Sequence, residues 1–414
     1  MERAFVVFVA LAYIAPAAEP PESQLPDSKT LCQPAQSTRD CAVILNNLGS
    51  SYFSAQKYRE AELLFTRAIS LWATETAPSD DLAKAYHNLG VVYRAEERYA
   101  DAARFYLRAL DLRESLEGPD DIKLLPILNG LGGVYLEMAD YIQAEKTLER
   151  AIAIVRKHQA EETVDGADTM NNLALADVKQ GRPAEAKELY RRALAVYRQT
   201  SDPIRLVAVL NNLGRALVEQ ARYKEAEPLF SEAIGIAKEK LGPAHAELAV
   251  GFSNLGKLMN ARSKFSDAER FLRRAEEIDR RNFAADHSRI GYDLLNEGVA
   301  AVGRKRYADA EALYGKSKAI LEKALPPNHP EVGKVIARLA NVYRLEGRLD
   351  ESEVLFRRAI KILEQAWGPE NSQLVSVLHS YEAVLRMRQE YAEAESVEVR
   401  STKIRVVEAL RNSN

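Results

Sequence analysis

One unit of about 42 residues recurs nine times in this chain of 414 residues. A tandem repeat of that length leaves few folds open, because each unit must bury its apolar face against the next. The register is set by a small residue at Gly49, Gly90, Gly132, Ala174, Gly214, Gly256, Gly298 and Ala340, with Glu382 in the ninth place. Twelve residues after each marker stands a second small residue: Ala61, Ala102, Ala144, Ala186, Ala226, Ala268, Ala310, Ser352 and Ala394. A third follows seven further on, from Ala68 to Ser401. The units run over about 42–81, 82–123, 124–165, 166–205, 206–247, 248–289, 290–331, 332–373 and 374–410, so 41–410 reads as one repeat domain.

Within a unit the periodicity is helical twice over. Leu45, Leu48 and Tyr52 recur at spacings of three and four and share one face. Gly49 beside them, having no side chain, admits a neighbouring helix. A short turn such as "AEERY" precedes a second helix, on which Ala61, Phe65 and Ala68 form the buried face. The linkers "EGPDD", "LGPAH" and "LPPNHP" carry the Pro and Gly that end one helix and prepare the next. The expectation is an all-α solenoid of nine helix-turn-helix units.

These features resemble the tetratricopeptide repeat (TPR). The small-residue positions match. So do the aromatic before the second helix (Tyr58, Tyr99, Tyr141, Tyr223, Phe265, Tyr307, Tyr391) and the bulky residue within it (Phe65, Tyr106, Tyr190, Phe230, Tyr314, Phe356). The usual unit has about 34 residues. The 42-residue form with "NNLG" and "LGP" is similar to the kinesin light chain type, which also occurs in bacterial proteins. The resemblance implies a right-handed superhelix that acts as a non-enzymatic scaffold and binds a protein partner in its concave groove. The coiled coil that joins light chains to a motor has no counterpart in the short, Pro-rich stretch 18–40.

"NNLG" at 46–49 returns as "NNLA" at 171–174 and "NNLG" at 211–214, although Asn is a poor helix former. At about 100° per residue, Asn46 and Asn47 turn away from the apolar stripe. First helices line the concave surface of such stacks, so one row would hold Asn47, Asn88, Asn172, Asn212, Asn254 and Asn296. A second row would hold Asn46, Asn129, Asn171 and Asn211. An amide both donates and accepts, so the rows can pair with the backbone of an extended peptide; the resemblance implies the same use. The alternative is bonding to a neighbouring repeat. If the amides face a ligand, replacing Asn171, Asn172, Asn211 and Asn212 by Ala leaves stability intact or raises it.

The same face collects Lys84, Arg94, Lys179, Arg215, Lys257, Lys334, Arg338, Arg344 and Arg386 against only Glu137, Asp168 and Glu219, on a chain of net charge −3. Lys334, Arg338, Arg344, Arg386 and His379 crowd into the last two units. They suggest an anionic partner: acidic side chains or a terminal carboxylate held by charge-assisted bonds. Two units break the pattern. In the seventh, Glu297 stands for a buried Leu and Ser317 for an Ala, which predicts a weaker joint. In the ninth, Glu382, Glu398 and Ser401 predict the polar outer face of a terminal repeat.

Residues 1–17 read as a secretory signal peptide: Arg3, an apolar run from Ala4 to Ile14, then Ala15-Pro16-Ala17 as the cleavage site. That run is shorter than the roughly 20 residues of a membrane span. The expected location is outside the cytoplasm, periplasmic or secreted, of a bacterial cell. Export permits a disulfide between Cys32 and Cys41, the alternative being two free thiols. Gly251 to Leu258 lacks the Ser or Thr of a phosphate loop, and it lies where a repeat helix is expected rather than after a strand. The six histidines show no metal-ligand spacing. No enzyme, metal or cofactor is expected, and nucleic acid is disfavoured because stacking aromatics are sparse in the groove. The reading is an exported scaffold or adaptor. The rival is a structural component of an envelope assembly, docking through its convex face or end repeats.

Overall fold

The computed structural model describes Cys32 and residues 37–55, 57–74 and 79–411. The leader at 1–17 and nearly all of the tail at 18–40 lie outside the described residues. The described residues form eighteen α-helices and no strand, two helices to each unit. The first six are α1 (Thr38–Ser54), α2 (Tyr58–Trp72), α3 (Asp80–Ala95), α4 (Tyr99–Glu117), α5 (Leu125–Glu137) and α6 (Tyr141–Lys157). Next come α7 (Val164–Lys179), α8 (Pro183–Tyr197), α9 (Pro203–Glu219), α10 (Tyr223–Ile236), α11 (Ala246–Ala261) and α12 (Phe265–Asn282). The last are α13 (Ser288–Gly303), α14 (Tyr307–Ala324), α15 (Pro330–Leu345), α16 (Leu349–Trp367), α17 (Val375–Met387) and α18 (Tyr391–Arg411). Odd helices are the first of each unit and even helices the second. The fold is therefore an all-α solenoid of helical hairpins. It groups into two compact units, residues 1–177 with 184–212 and residues 178–183 with 213–414.

The marker glycine makes the hairpin. In the six hairpins with a glycine marker, the bulky residue sixteen positions on lies against it. A Cβ on Gly214 would stand 2.4 Å from the Phe230 ring, and one on Gly298 would stand 2.3 Å from Tyr314. Phe230 and Tyr314 are fully buried there, each contributing about 1.5–3 kcal/mol of apolar burial. The turn between the two helices is as regular. Seven residues past the marker, Glu97, Ala139, Ala221, Ser263, Lys305 and Gln389 take a left-handed backbone, as do Gly181 and Gly347. Linkers close on Gly118, Gly242 and Gly368, also with positive φ. The next helix is then capped by a side chain that accepts from the amide two residues on. Asp121 and Asn371 serve in this way, and so do the linker histidines His245, His287 and His329 through Nδ1.

Cys32 and Cys41 are joined as a disulfide, with their Cα atoms 5.1 Å apart, and Cys32 packs with the first-unit core around Leu45 and Trp72. Ser317 is fully buried and its hydroxyl donates to Gly291 O at 2.7 Å. Ser352 likewise donates to Ala340 O at 2.7 Å. The ninth unit corrects an expectation. Glu382 is not part of a polar outer face but buried, held by Arg386 Nε at 2.7 Å.

Candidate ligand-binding face

The first helices carry the expected asparagines, but the structure divides them. In the first compact unit, Asn88 Nδ2 donates to Asn46 Oδ1 at 3.2 Å. Asn212 Nδ2 donates to Asn171 Oδ1 at 3.1 Å, and Asn171 Nδ2 to Asn172 Oδ1 at 3.3 Å. Asn129 Nδ2 reaches Asp165 O at 3.4 Å. Asn129, Asn171, Asn172, Asn211, Asn212 and, in the second unit, Asn254 are buried. For these residues the amides bind the scaffold or are enclosed by it, which corrects the expectation of two open rows. The cause is geometric: a first helix in a stack touches helices on both flanks, so its buried arc is wider than one apolar stripe. Asn47 is exposed, and Asn296 is half-buried.

The cations divide in the same way. Lys84 is engaged by Asp80 at 3.1 Å, and Arg94 packs its guanidinium over Gly133. Asp168 is not a groove acid. It is buried and accepts from Tyr197 Oη at 2.6 Å and from Arg205 Nε at 3.0 Å, while burial pushes its carboxyl up to about 6. In the second unit Arg386 is bound by Glu382 and by Glu398, each at 2.7 Å, with His379 3.5 Å from Glu382, so this part of the expected anion site is already neutralised. Arg344 donates twice to Asn341 Oδ1, at 3.1 and 2.9 Å.

What remains open lies on the first-helix face of the second unit. A cavity of about 450 Å³ is lined by Asn296 of α13, Lys334, Arg338 and Asn341 of α15, Trp367 at the end of α16, and Ser376 and Ser380 of α17. Lys334 sits 5.3 Å over the Trp367 ring and 2.9 Å from Glu331. Arg338 is exposed and makes no ion pair among the described residues. Farther along this face, Lys257 reaches solvent yet is walled in by protein. That crowding, with Arg215 beside it, pushes its ammonium down to about 8. Burial pushes the Glu219 carboxyl up, opposed by Arg215, Lys179 and Lys334. Burial alone would raise Glu331 too, yet Lys334 and Lys179 hold its carboxyl well below the usual range. Gln373 Nε2 donates to Lys179 O at 3.0 Å and ties the start of α17 to this cluster.

Sequence reasoning found Asn296, Lys334 and Arg338 but missed Trp367, Gln373 and Glu331. These lie at helix ends, where the repeat register carries no rule. The arrangement offers a planar guanidinium, amide donors, hydroxyls and one aromatic face: the equipment for a carboxylate-bearing chain.

The model of the tetratricopeptide repeat matches residues 40–115, 81–157, 123–199, 205–281, 293–365 and 334–405, so the chain belongs to the tetratricopeptide repeat family. A stack of such repeats is a protein-interaction scaffold. Among solved structures, the chain is similar to a Rap protein complexed with competence and sporulation factor. That match has 14% identity and a TM-score of 0.65, covering 90% of this chain and 99% of that one. It is also similar to BtubC (BKLC) from P. vanneervenii, with 21% identity and a TM-score of 0.41 over 55% of this chain and 89% of that one. The TPR-like repeats of kinesin light chain type from Podosopora anserina match at 20% identity, with a TM-score of 0.41 over 50% of this chain and 99% of theirs. No curated protein matches.

Proposed function

We propose that this chain is an exported, non-enzymatic scaffold that binds an anionic, extended segment of a partner protein on the first-helix face of its second unit. Arg338 carries the reading. It is exposed, lines the 450 Å³ cavity beside Asn296 and Asn341, and has no carboxylate of its own. An Arg fork left open in a cavity matches a carboxylate in two bonds. Lys334 and the Trp367 ring extend the contact to a neighbouring apolar residue. The Rap protein of similar fold is complexed with competence and sporulation factor, so a stack of this kind can hold a ligand.

Calorimetry with a Glu-rich dodecapeptide and its Gln-substituted twin tests this. The Glu peptide should bind, the Gln twin at least tenfold more weakly, and Arg338→Ala should abolish the difference while the melting temperature stays unchanged. Equal binding of the two peptides would overturn it. Export is tested separately: the protein from the producing cell should begin near residue 18. The rival, docking through an end repeat, draws on α18, where Val399 is 63% and Val406 53% exposed. Light scattering that shows self-association lost on Val399→Lys would favour it.

A further inference from the structure

The joint between the sixth and seventh repeats, where α12 packs on α13, differs from its neighbours. One residue before the marker the sixth and eighth repeats carry Leu255 and Leu339, whereas the seventh carries Glu297. Five before the marker, Val335 of the eighth gives way to Asp293 in the seventh. The opposing helix changes in step. Where α16 has Ile360 and Leu363, α12 has Glu276 and Asp279. Four positions that are apolar in the eighth repeat, two on each side of one contact, are carboxylic here.

The structure pairs them across the joint. Asp279 and Asp293 are both buried and interact, as do Glu276 and Glu297. In each pair one member is hydrogen-bonded to a cation, while the other feels cations only through space, Asp293 those of Arg289 and Lys257 and Glu297 that of Arg273. Arg289 bonds Asp279 at 3.2 and 3.3 Å, and Arg280 bonds Glu276 at 2.6 Å. Asp293 Oδ2 and Glu297 Oε1 are buried and receive no hydrogen bond. An ionised carboxylate so placed would face another and lack a donor; a proton on it supplies that donor and removes the repulsion. No group of three such side chains among the described residues could hold a metal ion.

We propose that the α12–α13 joint is a proton-held hinge: one proton shared by Asp279 and Asp293 and one shared by Glu276 and Glu297 keep it closed, and losing them loosens it. The other charged groups acting there are Lys257 of α11, Glu269 and Arg273 of α12, and Glu247 of α11, which acts through Arg289. His287 caps α13, and burial holds it down to about 4, so it stays neutral near pH 7. From the other side α14 meets α13 with Tyr314, Ser317 and Leu321, and Arg304 and Arg306 between these helices bind Glu269. Burial and then Glu276 push Glu297 up to about 8, and burial and then Asp279 push Asp293 well above the carboxylate range. A carboxyl whose folded value is raised favours the closed joint fully below its ordinary value, and that contribution drains away as pH climbs to the raised one. The window is therefore from the ordinary carboxyl range up to about 8. Because α11 and α13 carry Lys257 and Asn296, the hinge would respace the ligand face; its existence does not depend on any ligand.

Hydrogen exchange of the full chain between pH 6 and 9, corrected for intrinsic rates, reads the joint directly. Opening of α12 and α13 should rise with pH by up to about tenfold per unit for each proton released, while α15 and α16 stay level. Glu297→Gln and Glu297→Leu should each reduce this slope by the share of one proton, and Glu297→Leu combined with Asp293→Val, which restores the residues of the eighth repeat, should abolish it and protect the joint at every pH. A level wild-type profile overturns the proposal, and so does a Glu297→Leu variant that keeps the wild-type slope.

Discussion

Ala221 shows what a single residue contributes to a repeat. It turns the chain from α9 to α10 with φ at 56°, where a side chain crowds the backbone and Gly does not. Gly181 and Gly347 already occupy the equivalent place in two other repeats. Ala221→Gly should therefore raise stability by about 1 kcal/mol, against the usual loss from adding Gly, and a urea titration would show the later midpoint. Asn212 calls for the opposite sign from that expected of the sequence. Its amide donates to Asn171, which is itself buried, so Asn212→Ala leaves an acceptor unpaired. The cost should be about 1–3 kcal/mol, seen as a lower melting temperature; an unchanged one would return the amide to the ligand. The asparagines stood out in the sequence by position, but their partners are 41 and 42 residues away, and only folding reveals that distance.

At the scale of the helix, the repeat register determined most of what was observed. Spacing alone located both helices of every unit, because Gly-to-aromatic contacts such as Gly214 with Phe230 recur at a fixed offset. Ala226 tests that assignment. It is fully buried on α10, so Ala226→Phe should cost about 1–3 kcal/mol through overpacking; a mutant that melts with the parent would place that face elsewhere. Charge was less legible than packing. Asp168 and Arg386 occupy groove positions in the register, yet Asp168 faces Arg205 and Arg386 faces Glu382 and Glu398. An ion pair depends on where two long side chains end, and no periodicity encodes that. Glu297 was visible as a departure, whereas Glu276 and Asp279, the residues that give the departure its chemistry, lie one helix earlier.

For the molecule as a whole, a net charge of −3 says little about where an anion would bind. The local surroundings decide, and in the second unit crowding by the protein, with Arg215 beside it, pushes Lys257 down to about 8. An acidic peptide laid along this face relieves that pressure and raises the bound-state value. The sign follows: the part of affinity owed to Lys257 is full below about 8 and falls as pH rises from there toward the bound-state value. Binding near pH 8 should take up protons, so the calorimetric heat should change with the ionisation enthalpy of the buffer. Lys257→Met should remove both the proton uptake and the alkaline fall while leaving the contact at Arg338. If the heat is the same in every buffer, the ligand does not reach Lys257 and the anionic site ends at the cavity around Arg338.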